Sequence, residues 1–357
     1  MAEHAAIVGA GVAGRLLALR LARAGWRVTL WDRGDRAGHG SCTWTGAGML
    51  SPYCELESRH LLIHQLGLAS VAEWPSLLAS LVVPVFHQFA GSLIVAHGQD
   101  RGELRRLQRT ITDFLPGTHA LQTVNGPQIA DLEPELAGRF TDGLYVPDEG
   151  QVDNRALLSG LAATLETLDV HWHTGTTVTA IRPHEIDVHG DTHRYDIVCD
   201  CRGLAAAGDL RGVRGELLRL HAPDVTLSRP VRVMHPRYPL YVVPRADHMY
   251  VVGATQIESD DPGPITVRST LELLSAAYAL HSGFAEATVI ETDTGCRPAY
   301  PDNLPRLSHQ PGLLRLNGLY RHGFLISPAL TAAATALITG TPIAPEAQPC
   351  VRLILDP

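Results

Sequence analysis

A glycine-rich turn placed directly after an apolar segment constrains the fold more than any other feature of this chain. Residues 5–14 read Ala-Ala-Ile-Val-Gly-Ala-Gly-Val-Ala-Gly, a β-strand pattern that runs into the spacing G-x-G-x-x-G. At this spacing Gly9 permits the strand-to-helix turn, Gly11 lets the backbone approach a pyrophosphate, and Gly14 lets the helix pack close to the sheet. The free N–H groups at the start of the helix then face the anion. The pattern predicts a dinucleotide site, with a purely structural glycine-rich turn as the alternative.

The residues that follow complete a strand–helix–strand unit. A helical pattern over 15–24 is followed by Gly25, which predicts a C-cap, and a second strand pattern covers Arg27–Trp31. Asp32 stands at the end of this strand, where an acidic side chain accepts hydrogen bonds from ribose hydroxyls. The parts therefore arrive in the order that a dinucleotide-binding α/β fold requires.

The composition limits the other classes of function. The chain has 357 residues, 45% of them hydrophobic, and this length predicts two domains or one large core with a second lobe. The net charge is −8 and no run of lysine or arginine stands out, so neither nucleic acid nor an anionic membrane is expected as a partner. No segment approaches about 20 uninterrupted apolar residues, and the six cysteines lack metal-ligand spacing. These features predict a cytoplasmic protein with buried free thiols and no metal site.

Two kinds of strand pattern alternate along the rest of the chain. The apolar segment 195–201, followed by Gly203, is typical of a parallel strand that is buried on both faces and ends near the cofactor. Segments 216–221, 240–244 and 249–255 are typical of antiparallel strands. The alternation predicts a discontinuous cofactor domain into which a second lobe is inserted twice.

The helical periodicity predicts several helices, namely 57–81, 154–168 with Asp153 as N-cap, Val267–Leu280, and an alanine-rich final helix that ends near Gly340. A strand is expected over 287–293, before the separate segment Gly295-Cys296-Arg297-Pro298.

Several short segments, taken in order, are far more specific than any one motif. Besides the amino-terminal fingerprint they are Gly46-Ala47-Gly48-Met49-Leu50-Ser51-Pro52, Tyr241-Val242-Val243-Pro244-Arg245, Val252-Gly253-Ala254-Thr255, Gly295-Cys296-Arg297-Pro298 with Pro301-Asp302-Asn303, and Tyr320-Arg321-His322-Gly323. Over nearly the whole chain this set resembles the D-amino-acid oxidase superfamily, and within it the FAD-dependent glycine oxidases of thiamine biosynthesis.

The resemblance implies a tightly bound FAD and a two-lobed fold. One lobe would be a discontinuous, glutathione-reductase-like FAD-binding Rossmann domain made of residues 1–82, 147–209 and 291–357. The other would be a substrate domain built on an antiparallel sheet, made of residues 83–146 and 210–290.

The resemblance also implies a set of cofactor contacts. Gly46 to Leu50 would lie along the isoalloxazine and ribityl chain, Val178 would contact the adenine side through its backbone, and Gly203 and Gly323 would allow close approach of the flavin. A small-residue packing turn is the alternative for Gly46 to Leu50, and an ordinary strand position is the alternative for Val178. The full implied set is Gly9, Gly11, Val12, Ala13, Gly14, Asp32, Arg33, Thr45, Gly46, Ala47, Gly48, Met49, Val178, Gly203, Arg321, His322, Gly323 and Phe324.

The implied substrate is an α-amino acid, whose carboxylate a planar guanidinium binds with two parallel hydrogen bonds. Arg297 matches the carboxylate-binding arginine of the family, Tyr241 its hydroxyl partner, and Arg321 a flavin or substrate neighbour. A surface arginine and a packing tyrosine are the alternatives. Gln256 stands where related enzymes often carry an apolar residue, which changes the expected polarity of the pocket.

The implied reaction is oxidation of glycine, and of sarcosine or small D-amino acids as further substrates, to the imino acid. The neutral amine supports hydride transfer from Cα to flavin N5, O2 is reduced to H2O2, and the imine feeds thiazole formation in thiamine biosynthesis. A thiazole synthase and a homo-oligomer are the implied partners. Two rivals stay open, a D-amino-acid dehydrogenase that passes electrons to a quinone and a non-catalytic flavin-binding subunit.

Overall fold

The fold is described from a computed structural model over residues 2–206, 208–237 and 239–353. Residues 1, 207, 238 and 354–357, which belong to the expected lobe segments, lie outside the described residues.

The described residues form eight α-helices, namely α1 Val12–Arg23, α2 Cys42–Thr45, α3 Leu61–Ala79, α4 Arg101–Phe114, α5 Gly126–Leu132, α6 Asn154–Thr167, α7 Val267–Leu280 and α8 Gly323–Thr339. Short 3-10 helices occur at Cys54–Ser58, Gly98–Asp100, Pro134–Leu136, Gly203–Ala206, Ser282–Glu286 and Pro345–Cys350.

The strands of the first half are β1 His4–Val8, β2 Arg27–Trp31, β3 Met49–Leu50, β4 His87–Gln88, β5 Ser92–Ala96, β6 Gln122–Asn125, β7 Asp142–Val146, β8 Gly150–Val152, β9 His171–His173, β10 Val178–Arg182 and β11 Glu185–Val188. Those of the second half are β12 Asp191–Arg194, β13 Ile197–Asp200, β14 Arg211–His221, β15 Val231–Met234, β16 Leu240–Pro244, β17 Met249–Gly253, β18 Ile257–Glu258, β19 Thr288–Ala299, β20 Arg306–Gln310, β21 Leu313–Asn317 and β22 Val351–Leu353.

A seven-stranded sheet in the order β22-β20-β21-β13-β1-β2-β9 forms the first layer. The strands from β21 to β9 run parallel, and β20 is antiparallel to β21. All four residues of β13 are buried, which confirms the parallel central strand that the apolar segment 195–201 predicts. The carboxyl ends of β1, β2 and β13 therefore meet at one edge of the sheet, where dinucleotides bind in such folds.

Helices cover this sheet because their apolar faces need a partner. Helix α1 packs against α8 and α6, and α3 packs against α8. Leu16, Leu17, Trp74 and Leu330 are fully buried in the shared core. Helix α6 begins where the sequence predicts, since the Asp153 side chain accepts hydrogen bonds from the N–H groups of Arg155 and Ala156.

A nine-stranded sheet forms the second lobe, in the order β18-β14-β17-β16-β15-β5-β7-β6 with β19 added beside β14. Its neighbours are antiparallel except β15 and β5, which run parallel. Helix α7 covers this sheet and buries Leu273 and Ala277 in a second core with Leu218 and Val242. The parallel sheet and the mainly antiparallel sheet confirm the expected α/β class.

Strand β19 is longer than the sequence predicts. It includes the segment 294–299, because β14 pairs with it from Arg211 opposite Ala299 to His221 opposite Thr288, with a register shift between Arg219 and Leu220. Within the described chain β19 pairs only with β14, so Pro298, which lacks an N–H, is tolerated on the free edge. The sheet of the second lobe thus continues past residue 290, where the FAD-binding lobe was expected to resume. The exact lobe boundaries stay a prediction.

The helix expected over 57–81 is instead two elements. A 3-10 helix ends at Ser58, and Arg59 adopts the left-handed conformation with φ 60°. Because this conformation cannot continue a right-handed helix, α3 begins only at Leu61. The loop at 38–48 likewise contains the short helix α2, which the sequence did not predict.

Among the described residues, no helix is both long and apolar enough to cross a membrane.

Candidate active site

A cavity of about 1540 Å³ lies between the two sheets. Almost all of the residues that the sequence singles out line it: Gly9, Gly11, Val12, Ala13, Asp32, Arg33, Thr45, Gly46, Ala47, Gly48, Met49, Val178, Gly203, Tyr241, Arg297, Arg321, His322, Gly323 and Phe324. Gly14 does not line the cavity; it packs beneath the turn. Residues far apart in the chain thus share one space that is large enough for a dinucleotide and a small substrate.

The three glycines of the fingerprint have the geometry that their spacing predicts. Gly9 has φ 103°, and a Cβ there would lie 2.5 Å from the Cys201 carbonyl oxygen. A Cβ on Gly14 would collide with the Gly9 carbonyl oxygen, so only glycine lets α1 approach the turn. A Cβ added at Gly11 would meet only Thr43 Oγ1 within 4 Å, at 3.3 Å, apart from the adjoining residues. The Gly11 backbone therefore faces open space in the cavity. This cradle is complementary to a pyrophosphate, and the residues present fit FAD.

Asp32 already makes hydrogen bonds within the turn. Its Oδ2 accepts from the Ala10 N–H at 2.5 Å, and its Oδ1 accepts from the Gly34 N–H at 2.6 Å. Each oxygen has a second lone pair, so the carboxylate can hold the turn and still accept from a ribose hydroxyl. The ribose contact stays a prediction.

Helix α2 borders the fingerprint and contributes a contact that the sequence did not predict. Thr43 Oγ1 accepts a hydrogen bond from the Val12 N–H at 3.0 Å, at the start of α1. Asn154 holds α2 in place by donating to the carbonyl oxygens of Thr43 at 2.9 Å and Trp44 at 2.7 Å. Both side chains are buried, so they fix the wall of the cavity beside the anion-binding turn.

The segment from Gly46 to Met49 is held by a buried arginine. Gly48 has φ 63°, and a Cβ there would collide with the Val152 carbonyl oxygen. Arg245 donates to the Ala47 carbonyl oxygen at 2.6 Å and also contacts Gln151 Oε1. Burial lowers the pKa of Arg245 to about 10, which keeps it charged at neutral pH. Arg245 is the last residue of the motif Tyr241-Val242-Val243-Pro244-Arg245. Its place in this motif was the only feature of the sequence that could have indicated a role in the site.

The carboxyl-terminal motif completes the cavity wall. Gly203 has φ 60°, and its carbonyl oxygen accepts from Asn317 Nδ2 at 2.9 Å. Gly323 begins α8, whose N-terminus therefore faces the cavity. Such a terminus attracts negative charge. Val178 is buried in β10 and also lines the cavity.

Arg297 is half-buried and has no ion pair with any described residue. Its Nη1 makes only long hydrogen bonds, to the carbonyl oxygens of Thr255 at 3.3 Å and Arg214 at 3.4 Å. The guanidinium lies against Gly215, where a Cβ would overlap it. Three other arginines of the cavity pair with carboxylates, namely the half-buried Arg202 with Asp200 and Arg232 with Glu57, and the exposed Arg321 with Glu55. Arg297 therefore offers an uncompensated guanidinium to a ligand.

Tyr241 lies near enough to Arg297 to feel its charge. In the strand register it pairs with Gly253, and a Cβ on Gly253 would be 2.9 Å from the Tyr241 hydroxyl. Burial raises the pKa of this hydroxyl, a shift that the charges of Arg297, Arg245 and Arg321 oppose. The hydroxyl is therefore neutral and able to donate at physiological pH.

Glu216 is a functional candidate that the sequence reasoning missed. It is fully buried, and its Oε2 accepts from Thr255 Oγ1 at 2.9 Å, while its Oε1 accepts from Arg214 Nη2 at 2.7 Å. Burial favours its protonated form, but hydrogen bonds from Ser269, Arg214 and Thr255 hold the pKa of Glu216 below its usual value. The buried carboxylate thus fixes Thr255, whose carbonyl oxygen contacts Arg297.

Arg321 is anchored more firmly than expected for a free substrate contact. Its Nε and Nη2 donate to Glu55 Oε2 at 3.1 and 2.8 Å, and Nη2 also donates to Ser58 Oγ at 2.8 Å. Burial of Glu55 disfavours its charge, yet Arg321 and His322 hold its pKa well below the usual range. Glu55 was not predicted, because nothing in the sequence near Tyr53 indicates its distant partner.

His322 is buried beside this pair. Its Nδ1 is 3.2 Å from Glu55 Oε2, although the geometry is not that of a hydrogen bond. Neither ring nitrogen has a hydrogen-bond partner among the described residues. The cofactor contact expected of His322 stays a prediction.

This chain belongs to the family described as DAO, FAD dependent oxidoreductase, whose profile matches residues 4–337. The protein is an FAD-dependent oxidoreductase. That its cofactor binds at the glycine cradle of the amino-terminal turn stays a prediction.

Several individual proteins that resemble this chain carry more specific names than the family does. The chain is 45% identical over 335 residues to the putative thiamine biosynthesis oxidoreductase ThiO of Rhizobium etli, covering 93% of this chain and 95% of that protein. It is 27% identical over 344 residues to a glycine oxidase of Geobacillus kaustophilus, covering 90% of this chain and 89% of that enzyme. The crystal structure of glycine oxidase from Geobacillus kaustophilus superposes with a TM-score of 0.87 at 25% identity and covers 98% of both chains.

A bifunctional ThiO/ThiG protein of a Nostoc species is 27% identical over 354 residues. The match covers 95% of this chain but 53% of that protein, so the chain spans about half of the fused relative.

Proposed function

We propose that the protein is an oxidase of glycine and other small amino acids, with O2 as the electron acceptor and H2O2 as a product. The observation that carries the proposal is the uncompensated guanidinium of Arg297, which shares a cavity with the fingerprint glycines. The name of the Geobacillus relative, glycine oxidase, supports the same substrate class.

In this proposal Arg297 binds the substrate carboxylate. Two parallel charge-assisted hydrogen bonds fix both the position and the orientation of a small amino acid. The neutral Tyr241 hydroxyl donates a further hydrogen bond to the same carboxylate. Thr255, held by Glu216, keeps the Arg297 guanidinium in place. All of these contacts are made to the carboxylate. Glycine can therefore be held without a pocket for a side chain.

Bound FAD supplies the acceptor for the two electrons and the hydrogen that leave Cα. The role of the protein is to bind the amino acid with its amine neutral and to exclude water from the reacting atoms. Thr43, Arg245 and Asp32 hold the turns that would contact the cofactor. The helix N-terminus at Gly323 stabilises negative charge that develops in the cavity.

We further propose that the imino acid product supplies thiazole formation in thiamine biosynthesis, with a thiazole synthase as the partner that receives it. The support is the name of the Rhizobium relative and the existence of fused ThiO/ThiG proteins. A homo-oligomer remains our prediction for the assembly.

Steady-state assays test this function. With glycine, the FAD-loaded enzyme should consume one O2 and form one H2O2 for each amino acid oxidised. Sarcosine and D-alanine are the comparison substrates. Oxidation that proceeds with a quinone and not with O2 would instead support a dehydrogenase, and a complete lack of turnover would support a flavin-binding subunit.

A further inference from the structure

Gln256 lines the cavity and has no role in the mechanism proposed above. It follows Thr255, whose carbonyl oxygen accepts from Arg297 Nη1 at 3.3 Å. Its side chain is exposed and lines the cavity. Gln256 and Arg297 line the same cavity, so we expect the substituent of a ligand held by Arg297 to approach this amide.

Arg321 determines how the amide is oriented. Its Nε and Nη2 are held by Glu55, and its Nη1 is 3.4 Å from Gln256 Oε1. A guanidinium can only donate, so the amide oxygen, not the nitrogen, must face Arg321. The Nε2 group then points away from Arg321, and no residue in the described part of the chain accepts a hydrogen bond from it. Both N–H groups of the Gln256 amide are thus without an acceptor among the described residues.

We propose that Gln256 determines substrate specificity by selecting ligands whose substituent carries a hydrogen-bond acceptor oxygen at the γ position, over ligands with an apolar group there. This inference rests on the proposed function, since it assumes that Arg297 holds a carboxylate. The chemical class is a small amino acid with a γ hydroxyl or carbonyl oxygen. Glycine also fits, because water can occupy the space beside the amide.

The physical basis is the cost of an unsatisfied donor. An apolar substituent displaces water from Gln256 Nε2 and offers no acceptor, and leaving a polar group unpaired in this way weakens binding of the ligand. An acceptor oxygen replaces the lost water. A methyl group and a hydroxyl group are similar in size, so the expected discrimination arises from hydrogen bonding rather than from fit.

Binding of unreactive ligands tests the inference directly. Butanoate and 3-hydroxypropanoate differ only in a γ methyl or hydroxyl, and neither carries an amine to be oxidised. Their affinities are measured from the change in the visible spectrum of the FAD-loaded protein. We expect the wild type to bind 3-hydroxypropanoate about tenfold more tightly, and Gln256→Met and Gln256→Leu to lose or reverse that preference. Gln108→Met is the matched control and should keep it, because Gln108 lies on α4 and does not line the cavity.

Turnover of D-serine and D-2-aminobutyrate provides the second arm, because these substrates carry the same pair of groups. The ratio of their kcat/KM values should fall about tenfold in both Gln256 variants. Ratios that stay within threefold of wild type in both arms would overturn the inference. Loss of bound FAD in both variants would also overturn it, since Gln256 would then have a structural role. A preserved binding preference without oxidation of any amino acid would contradict the proposed function instead.

Discussion

At the residue scale, the substrate end of the cavity depends on how one guanidinium is supported. Arg297 lies against the backbone of Gly215 and contacts two carbonyl oxygens, and no carboxylate among the described residues neutralises it. Maintaining an unpaired charge in a half-buried position is costly. Such a charge is therefore expected where a ligand supplies the counter-ion.

Replacing Arg297 with Ala should impair substrate binding and leave FAD bound. The change removes charge-assisted hydrogen bonds worth about 1.5–3 kcal/mol, so the KM for glycine should rise by about ten- to a hundredfold. The Lys variant should recover only part of the loss, because an ammonium cannot form the bidentate contact. An unchanged KM in the Ala variant would show that another residue binds the carboxylate.

A substitution at Gly215 should raise the KM for glycine, because the Arg297 guanidinium lies against this residue. A Cβ at this position overlaps the Arg297 guanidinium, so Gly215→Ala should displace Arg297 and raise the KM for glycine while FAD content stays normal. Gly98→Ala is the control, because no atom lies within 4 Å of the added Cβ there. Equal KM values for the two variants would contradict the proposed position of the guanidinium.

Some of these residues could be predicted from the sequence and others could not. Arg297 and Tyr241 stand within motifs, and the structure brings both to the cavity. Gly215, Glu216 and Glu55 stand in segments with no distinctive spacing, and their contacts come from strands and helices distant in the chain. Side chains that act by supporting another residue leave no local pattern, so only the fold identifies them.

At the element scale, short connections position the cofactor end of the cavity. Gly48 has a left-handed backbone and packs on Val152, and Arg245 reaches from the second sheet to hold the same segment. The βαβ unit was predictable because its glycines are needed at a fixed local spacing. Helix α2 and the extension of β19 were not, because α2 is held by Asn154 and β19 by pairing with β14.

Gly48→Ala should weaken FAD binding. The substitution imposes a strained φ of 63° and a collision with the Val152 carbonyl oxygen, which must move the segment 46–49. Gly138→Ala separates these effects, since Gly138 has φ 71° but open space around it. We expect a loss of thermal stability in both variants and a raised FAD dissociation constant in Gly48→Ala alone. Equal FAD affinity would argue against the segment as a cofactor contact.

The Glu55–Arg321 pair should make stability depend on acid pH. The folded-state pKa of Glu55 lies well below its ordinary value of 4.5, so its contribution is complete above that value and is lost as the pH falls below it. Glu55→Gln should unfold more easily at neutral pH, by about 1–3 kcal/mol in the free energy of unfolding. Chemical denaturation should show this difference shrinking as the pH falls from about 5 to about 3. A constant difference across that range would exclude the ion pair as its source.

At the scale of the whole molecule, two sheets enclose one cavity whose ends carry different chemistry. The edge of the parallel sheet presents the glycine cradle. The second sheet presents Tyr241 and Arg297, and the loop between β17 and β18 presents Gln256. The α/β class and the inserted second lobe were predictable from the alternation of strand patterns. The enclosed space was not, because its size depends on how the lobes pack together.

Anaerobic addition of glycine to the FAD-loaded protein tests the central claim most directly, because it isolates the oxidation of the amino acid from the reaction with O2. We predict that glycine bleaches the visible flavin absorbance, and that Arg297→Ala requires a far higher glycine concentration for the same bleaching. A flavin band that persists in the wild type at saturating glycine and at saturating concentrations of the other small amino acids would contradict the account.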